Sequence, residues 1–247
     1  MTIWAIADIH ASRLDPGTRL PTKPMDIFGG HWLDHMERLE QAWAECVAPD
    51  DTVIIAGDID WALHLDDAAD TLQRLDRWSG SKILIRGNHD YWWSSKATNK
   101  VRRALPPSLR TIHNDAVQAD GFNICGTKGA SVPGGIEWTA EDARLLDREV
   151  QRLRRSIEAR DLELPTIVAL HYPPFYRAGG TSPFRDLIEE VGAAFVVYGH
   201  LHAEAATTGP LGLHGDTTYL LVAADAVDFR PVLVADPRGL ECRNDAR

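Results

Sequence analysis

Asn88, His89 and Asp90 follow Gly87 directly, and the apolar run Ile83-Leu84-Ile85 leads into them. The run reads as a buried strand. The glycine reads as its turning point, because glycine alone takes positive φ without a Cβ clash. An amide, an imidazole and a carboxylate are thus delivered at the carboxyl end of a strand, where open α/β sheets usually carry their chemistry. One such block is a polar turn, but this chain repeats the grammar five times. Asp8-Ile9-His10 follows the apolar run at 3–7, Gly57-Asp58 follows 52–56, His171 follows 165–170, and Gly199-His200-Leu201-His202 follows 194–198. Asp8 and His10, two apart in extended chain, point to one side. Together the blocks hold five of the ten histidines. Oxygen and nitrogen donors without a thiolate suit Mn²⁺, Fe or Zn²⁺ better than a structural thiolate site. There are too many ligands for one ion and about enough for two.

The elements that must position these residues follow a clear rhythm. Strands at 3–7, 52–56 and 82–86 alternate with helices at 31–46 and 63–78, which predicts parallel βαβ units. A helix at 95–105 and a hairpin turning at Asp120-Gly121 come next. Thr139 then caps a helix with acids on its first turn, and Leu146, Val150, Leu153 and Ile157 form its buried stripe. On that helix Arg144, Arg148, Arg152, Arg154 and Arg155 alternate with acids, which reads as a solvated face. Beyond it lie a strand at 165–170, a helix at 184–191 and a strand at 194–198. Runs at 217–223 and 231–235 read as antiparallel strands. With no repeat or linker, residues 1–247 read as one domain. Loops at 11–30, 127–138 and 172–183 adjoin the blocks and are candidate cleft walls. Of Tyr91, Trp92 and Trp93, burial statistics send most to the core, while adjacency to the block sends at least one to the cleft.

Bulk properties narrow the function classes. A net charge of −10 argues against a stable nucleic-acid complex, which needs a basic surface. Cys46, Cys125 and Cys242 are unpaired in spacing and suit a reducing compartment. The chain enters its first strand without a basic, apolar leader, and no apolar run nears the ~20 residues of a membrane helix. A cytoplasmic protein with no membrane partner is expected.

The ordered set D-x-H, G-D, G-N-H-D, H and G-H-x-H, spanning Asp8 to His202, resembles the calcineurin-like metallophosphoesterases. The resemblance implies an α/β (α+β) fold, a four-layer sandwich of two mixed β-sheets flanked by helices with the site on loops at the strand ends. It implies two divalent ions, Mn²⁺ first, with Fe or Zn²⁺ as alternatives. One would be held by Asp8, His10, Asp58 and His202, the other by Asp58, Asn88, His171 and His200, with Asp58 bridging. His89 would stand beside the leaving group, and Asp90 would orient it. One departure stands out. The family's second block commonly reads G-D-x-x-D, whereas Asp60 here comes one residue early, which leaves its supporting role open.

Two cations ~3.5–4 Å apart would generate hydroxide near neutral pH and neutralise the phosphoryl oxygens during in-line attack. The expected function is hydrolysis of a phosphomonoester or phosphodiester in a small or nucleotide-like substrate. Aromatics in the cap loops would suit a base, and Arg177 or Lys23 could meet a second phosphate. The alternative is an inactive binding scaffold on the same fold, for which a missing ligand would be the signature. None is missing.

Overall fold

The computed structural model describes residues 1–18, 20–132, 138–175 and 181–236. In chain order the elements are β1 (Ile3–Ile6), α1 (His35–Cys46), β2 (Thr52–Ala56), α2 (Ala69–Arg77), β3 (Ser81–Ile85) and α3 (Thr98–Ala104). Next come β4 (Leu109–Thr111), β5 (Ala116–Ala119), β6 (Phe122–Thr127), α4 (Ala140–Glu158) and β7 (Thr166–Leu170). The last are α5 (Pro183–Val191), β8 (Phe195–Tyr198), β9 (Gly212–His214), β10 (Thr217–Leu221) and β11 (Val232–Ala235). The strands form two sheets, ordered β11-β1-β2-β3-β4 and β5-β6-β7-β8-β10-β9. β1 through β4 run parallel, as do β6, β7, β8 and β10, while β11, β5 and β9 pair antiparallel at or near the edges. The architecture is therefore two mixed sheets flanked by helices, as expected from the resemblance.

The uninterrupted apolar strands exist because each is buried on both faces. Ile3, Ala5, Ile54, Ile83 and Ile85 on one sheet meet Ile124, Ile167, Ala169 and Val197 on the other. The alternate residues, such as Ile6, Val53, Ile55 and Leu84, face outward against Leu39, Trp43, Leu72 and Leu75 of α1 and α2. On the far side Cys125, Val168 and Val196 face Leu153 and Ile157 of α4 and Leu187 and Ile188 of α5. Each fully buried Ile, Leu or Val contributes roughly 1.5–3 kcal/mol of transfer free energy. This double burial fixes the strand ends, and the polar blocks inherit their positions from it.

Several sequence expectations need correction. The run at 217–223 contributes β10, which is parallel to β8 and antiparallel only to β9. α1 starts at His35 and not at 31, because residues Gly30–Trp32 form a 3₁₀ turn and Asp34 takes φ 51°. α2 starts at Ala69 and not at 63. The α4 start follows the pattern: Thr139 accepts from the Asp142 N–H, and the Asp142 side chain accepts in return from the Thr139 N–H. No helix among the described residues is long and apolar enough to cross a membrane.

Candidate metal centre

Four residues of the polar blocks have left-handed backbone: Asp8 (φ 57°), His10 (φ 50°), Asp58 (φ 53°) and His200 (φ 71°). Non-glycine residues rarely sit there, and when they do the surroundings must enforce it. Main-chain bonds do so here. Asp8 N donates to Gly57 O at 2.9 Å, His10 N to Asp58 O at 2.9 Å and Ala11 N to Ile59 O at 2.9 Å. Asp8 and His10 do converge, with Nε2 3.8 Å from Oδ1. They converge through two left-handed residues, not through strand alternation. The reason for Gly87 also differs from the expectation. Its φ is not positive; a Cβ there would lie 2.1 Å from Asp58 Oδ1 and 2.2 Å from Asp58 N. Gly199 is needed likewise, since its Cβ would lie 2.3 Å from Asp8 Oδ2.

Asp90 is buried and does not orient His89, which corrects the role expected for it. Its Oδ1 accepts from Ile59 N (2.8 Å), Asp60 N (3.2 Å) and Trp92 Nε1 (3.1 Å), and its Oδ2 from Gly87 N (2.7 Å) and Asp58 N (3.0 Å). Burial pushes this carboxyl's pKa up, against the pull of the N–H groups of Gly87, Ile59 and Asp60. Five donors on two oxygens require the lone pairs of the carboxylate form. Asp90 therefore ties the 57–60 loop to the 87–92 loop. Asp60 serves the first of these loops too: its Oδ1 accepts from Ala62 N at 2.6 Å and its Oδ2 from the Thr71 hydroxyl on α2. The partner of His89 is Tyr91, whose hydroxyl is 3.0 Å from Nδ1. Trp92 and Trp93 are buried in the core, while Tyr91 is 52% exposed.

The blocks meet around two carboxylates. Donor atoms of Asp8, His10 and His202 lie within 4.8 Å of one another, and so do those of Asp8, Asp58 and His171. Asp58 Oδ2 is 3.9 Å from His10 Nε2 and 3.4 Å from His171 Nε2, so it faces both groups. Asp8 Oδ1, 3.3 Å from His202 Nε2, is buried and accepts no hydrogen bond from the described residues. On the other side His171 Nδ1 donates to the Ala56 carbonyl at 3.1 Å, and its Nε2 lies 2.7 Å from Asn88 Oδ1. Burial holds the His171 pKa down at about 3, so the ring is neutral. Two lone-pair acceptors then face each other, and a cation between them, or an amide turned over, satisfies both. His200 stands apart from both groups, with its ring 4.1 Å from Tyr172 and 5.1 Å from His171.

The protein itself perturbs these groups strongly. Burial pushes the pKa of His10 down to about 3, despite the pull of Asp8. Burial pushes His200 down to about 4. His202 goes the other way. Burial opposes its charge, but the hydrogen bond to Asp225 and the facing Asp8 carboxylate outweigh this and raise it to about 10. Burial, then the neighbouring Asp90 and Asp8, raise Asp58 to about 8. Burial also works against the Asp8 carboxylate, but His202, His171 and His10 hold its pKa well below the usual range. Neutral imidazoles, paired carboxylates and an orphaned carboxylate oxygen are a donor set that fits divalent cations.

Three contributors had no strong signal in the sequence. Asp225 accepts from His202 Nδ1 at 2.8 Å and lies 23 positions further along the chain. Trp61 stacks on His10 at 4.9 Å and 19° and packs against His89 at 4.3 Å. Tyr172 joins His200 to Lys128, whose ammonium lies 5.2 Å from the Tyr172 ring. Lys23 sits 5.9 Å from the Trp61 ring. Arg177 and Cys242 lie outside the described residues, as do parts of the loops at 127–138 and 172–183.

Known proteins match this arrangement at the level of fold and family. The chain resembles the phosphopantetheinyl hydrolase of Mycobacterium tuberculosis at 17% identity and TM-score 0.59, covering 96% of this chain and 97% of that one. It also resembles the Thermus thermophilus protein TT1561 at 14% identity and TM-score 0.55, over 91% and 89% of the two chains. No curated protein sequence matches it. The family model of the calcineurin-like phosphoesterases matches residues 1–204, a span that holds every polar block, and the chain belongs to that family.

Proposed function

We propose that the protein is a two-metal phosphohydrolase acting on a phosphomonoester or phosphodiester of a small or nucleotide-like substrate in the cytoplasm. In this reading residues 1–247 form one domain, and the loops at 11–30, 127–138 and 172–183 act as its cap. The observation that carries the reading is the Asp8 carboxylate, which both donor groups share and whose buried Oδ1 has no hydrogen-bond donor among the described residues. Asp8, His10, Asp58 and His202 would hold one ion, and Asp58, Asn88, His171 and His200 the other. Mn²⁺ suits these oxygen and nitrogen donors. When bound, such a pair supplies Lewis acidity that makes water at the site more acidic and neutralises charge on phosphoryl oxygens.

The chain's own residues supply the rest. Burial holds the His89 pKa below its ordinary value, so the ring is neutral at pH 7. A Tyr91 hydroxyl that donates to Nδ1 leaves the ring's one proton on Nε2. That tautomer can donate a hydrogen bond from Nε2 to a departing alkoxide and stabilise its charge. Trp61, packed against the ring at 4.3 Å, limits its rotation.

The test is hydrolysis of bis(p-nitrophenyl) phosphate after loading with Mn²⁺, Zn²⁺ or Fe²⁺ in turn, with metal counted on the same samples. The expected result is two ions per chain and released p-nitrophenol. His89→Ala should keep both ions and lose roughly 10²–10⁴-fold in turnover. A wild-type protein that holds fewer than two ions and releases no p-nitrophenol would be a binding scaffold.

A further inference from the structure

We infer that Phe229 is a positioning residue for the ion of His10 and His202, fixed by Arg38 on a turn whose backbone is held in an unfavourable form. Its ring sets Trp32 against both histidines, and the same turn delivers Asp225 to His202. This rests on the two-metal reading above and adds to it a side chain that works through Trp32.

The need for packing follows from how the histidines are oriented. An imidazole plane turns about a soft, broad torsion, so a ligand ring needs a partner behind it. His171 and His202 have hydrogen bonds at Nδ1, to the Ala56 carbonyl and to Asp225. The His10 ring meets other rings instead: Trp61 at 4.9 Å, His202 at 5.5 Å, His89 at 5.8 Å and Trp32 at 5.9 Å. Trp32 lies 6.0 Å from His202 as well, so one indole reaches both ligands of this side.

Trp32 is placed in turn by Phe229. The two rings meet edge to face, at 5.1 Å and 76°, an arrangement that aromatic quadrupoles favour. Asp228 and Phe229 are consecutive left-handed residues, at φ 50° and 55°, and Phe229 is 1% exposed. A bulky side chain sits there only when its surroundings enforce it. Arg38 on α1 supplies that force. Its Nη2 donates to Asp228 Oδ1 at 2.5 Å, and its guanidinium lies 4.5 Å from the Phe229 ring. Its Nη1 donates to the carbonyl of His31, beside Trp32, at 2.6 Å. One guanidinium thus joins the segment that carries Trp32 to the turn that carries Phe229. The start of that turn is tied to the metal side. Ala224 N donates to the carbonyl of Ala7, beside Asp8, at 2.9 Å, and Phe229 N closes the turn on the Ala224 carbonyl at 2.7 Å. Asp225 accepts from His202 Nδ1 at 2.8 Å and from Ala203 N at 3.2 Å. His202 is therefore held twice by one turn, through a carboxylate and through a wall of rings.

The test counts ions and does not depend on turnover. Mn²⁺ is titrated in competition with a chelator, and the ion that Asp225→Ala weakens marks the His202 position. Phe229→Leu should weaken that same ion by roughly three- to tenfold, less than the loss of a ligand's direct partner, and leave the other in place. Phe184→Leu, which removes an equally buried phenyl ring on α5, should leave both ions in place. Arg38→Gln, at a side chain 39% exposed, should keep the fold and weaken the marked ion by less than Phe229→Leu does. Arg38→Lys, which keeps a cation near Asp228, should recover part of that loss. Equal weakening of both ions by Phe229→Leu overturns the inference, and so does the same loss from Phe184→Leu. If Phe229→Leu does not fold, the Arg38 variants decide, and a marked ion that Arg38→Gln leaves unmoved overturns it. Two ions in the wild type with no response to either variant remove the positioning role alone. A wild type with one ion removes the two-metal reading. The positioning role then stands if Phe229→Leu and Asp225→Ala both weaken that ion and Phe184→Leu does not, and falls otherwise. A wild type that binds no ion removes both.

Discussion

The two sides of the candidate centre use the same ligand type, histidine, and tune it in opposite directions. On the His10 side, His202 is backed by a carboxylate, Asp225, and faces another, Asp8, so its proton is held up to about 10. On the Asn88 side, His171 is backed by the neutral Ala56 carbonyl and faces an amide, and its ring stays neutral down to about 3. What stands behind an imidazole decides its charge before any ion arrives. The first side must give up a histidine proton to hold a cation, and the second need not. The first is also covered by Trp61 stacked on His10, whereas on the second Tyr172 packs against His200.

Asp90 belongs to neither side and supports both, so its loss should have the largest effect. Asp90→Ala strips five N–H groups of their acceptor in a buried loop. The expected cost is at least about 3 kcal/mol in urea unfolding, with metal lost from both positions. Unchanged stability would show that the two loops hold their shape without the carboxylate. A smaller and one-sided effect is expected of Asp225. Asp225→Ala should weaken one ion by roughly 10–100-fold in a competition titration and leave the other in place. Asp225→Asn, which keeps an oxygen for the His202 N–H, should recover part of the loss. Equal weakening of both ions would erase the distinction between the sides.

The same contrast has a pH signature. Above pH 8, the raised value of Asp58, the two histidines on the His171 side keep one charge state, because His171 and His200 are neutral above about 3 and about 4. His202 in the metal-free protein keeps its proton until about 10, and that proton must leave when an ion binds. Between pH 8 and 10, affinity at the His202 position should therefore rise by up to about tenfold per pH unit. Affinity at the His171 position should stay level. Titration in metal buffers across that window measures both, and two parallel slopes would mean that His202 is not the group being displaced.

Much of this centre was legible because an ion needs particular residue types at strand ends, and strand ends show as the point where an apolar run stops. Asp8, Asp58, Asn88 and His171 could be found in that way. Asp225 could not, since a lone carboxylate after a strand in an acidic chain carries no local pattern. Asp90 was misread because adjacency to His89 suggests contact, whereas the turn sends the two side chains apart. Gly87 was recognised as necessary for the wrong reason: the pressure is the nearness of Asp58, which no local rule reveals. Arg152 read as part of a solvated face because its spacing is helical and nothing in sequence shows that Glu149, one turn before it, is buried. β4 and β9, three residues each, are too short for periodicity to register.

The smallest expected effect belongs to Tyr91, and it refines the account of His89, whose main-chain N–H donates to Asp58. The Tyr91 hydroxyl, 3.0 Å from His89 Nδ1, selects one of two neutral tautomers without adding charge. Tautomer selection of this kind by a neutral partner is worth about one hydrogen bond, roughly 0.5–1.5 kcal/mol. Tyr91→Phe should therefore lower kcat by about two- to tenfold while KM and metal content stay as they are. Because Tyr91 is half exposed, the variant should fold with wild-type stability. The discriminating measurement is a leaving-group series of aryl phosphodiesters. If the His89 Nε2–H stabilises the departing alkoxide, the deficit should grow as the leaving alcohol becomes more basic, since a poor leaving group needs that hydrogen bond most. A deficit equal for every leaving group would mean that Tyr91 orders the cleft wall and leaves the His89 proton alone.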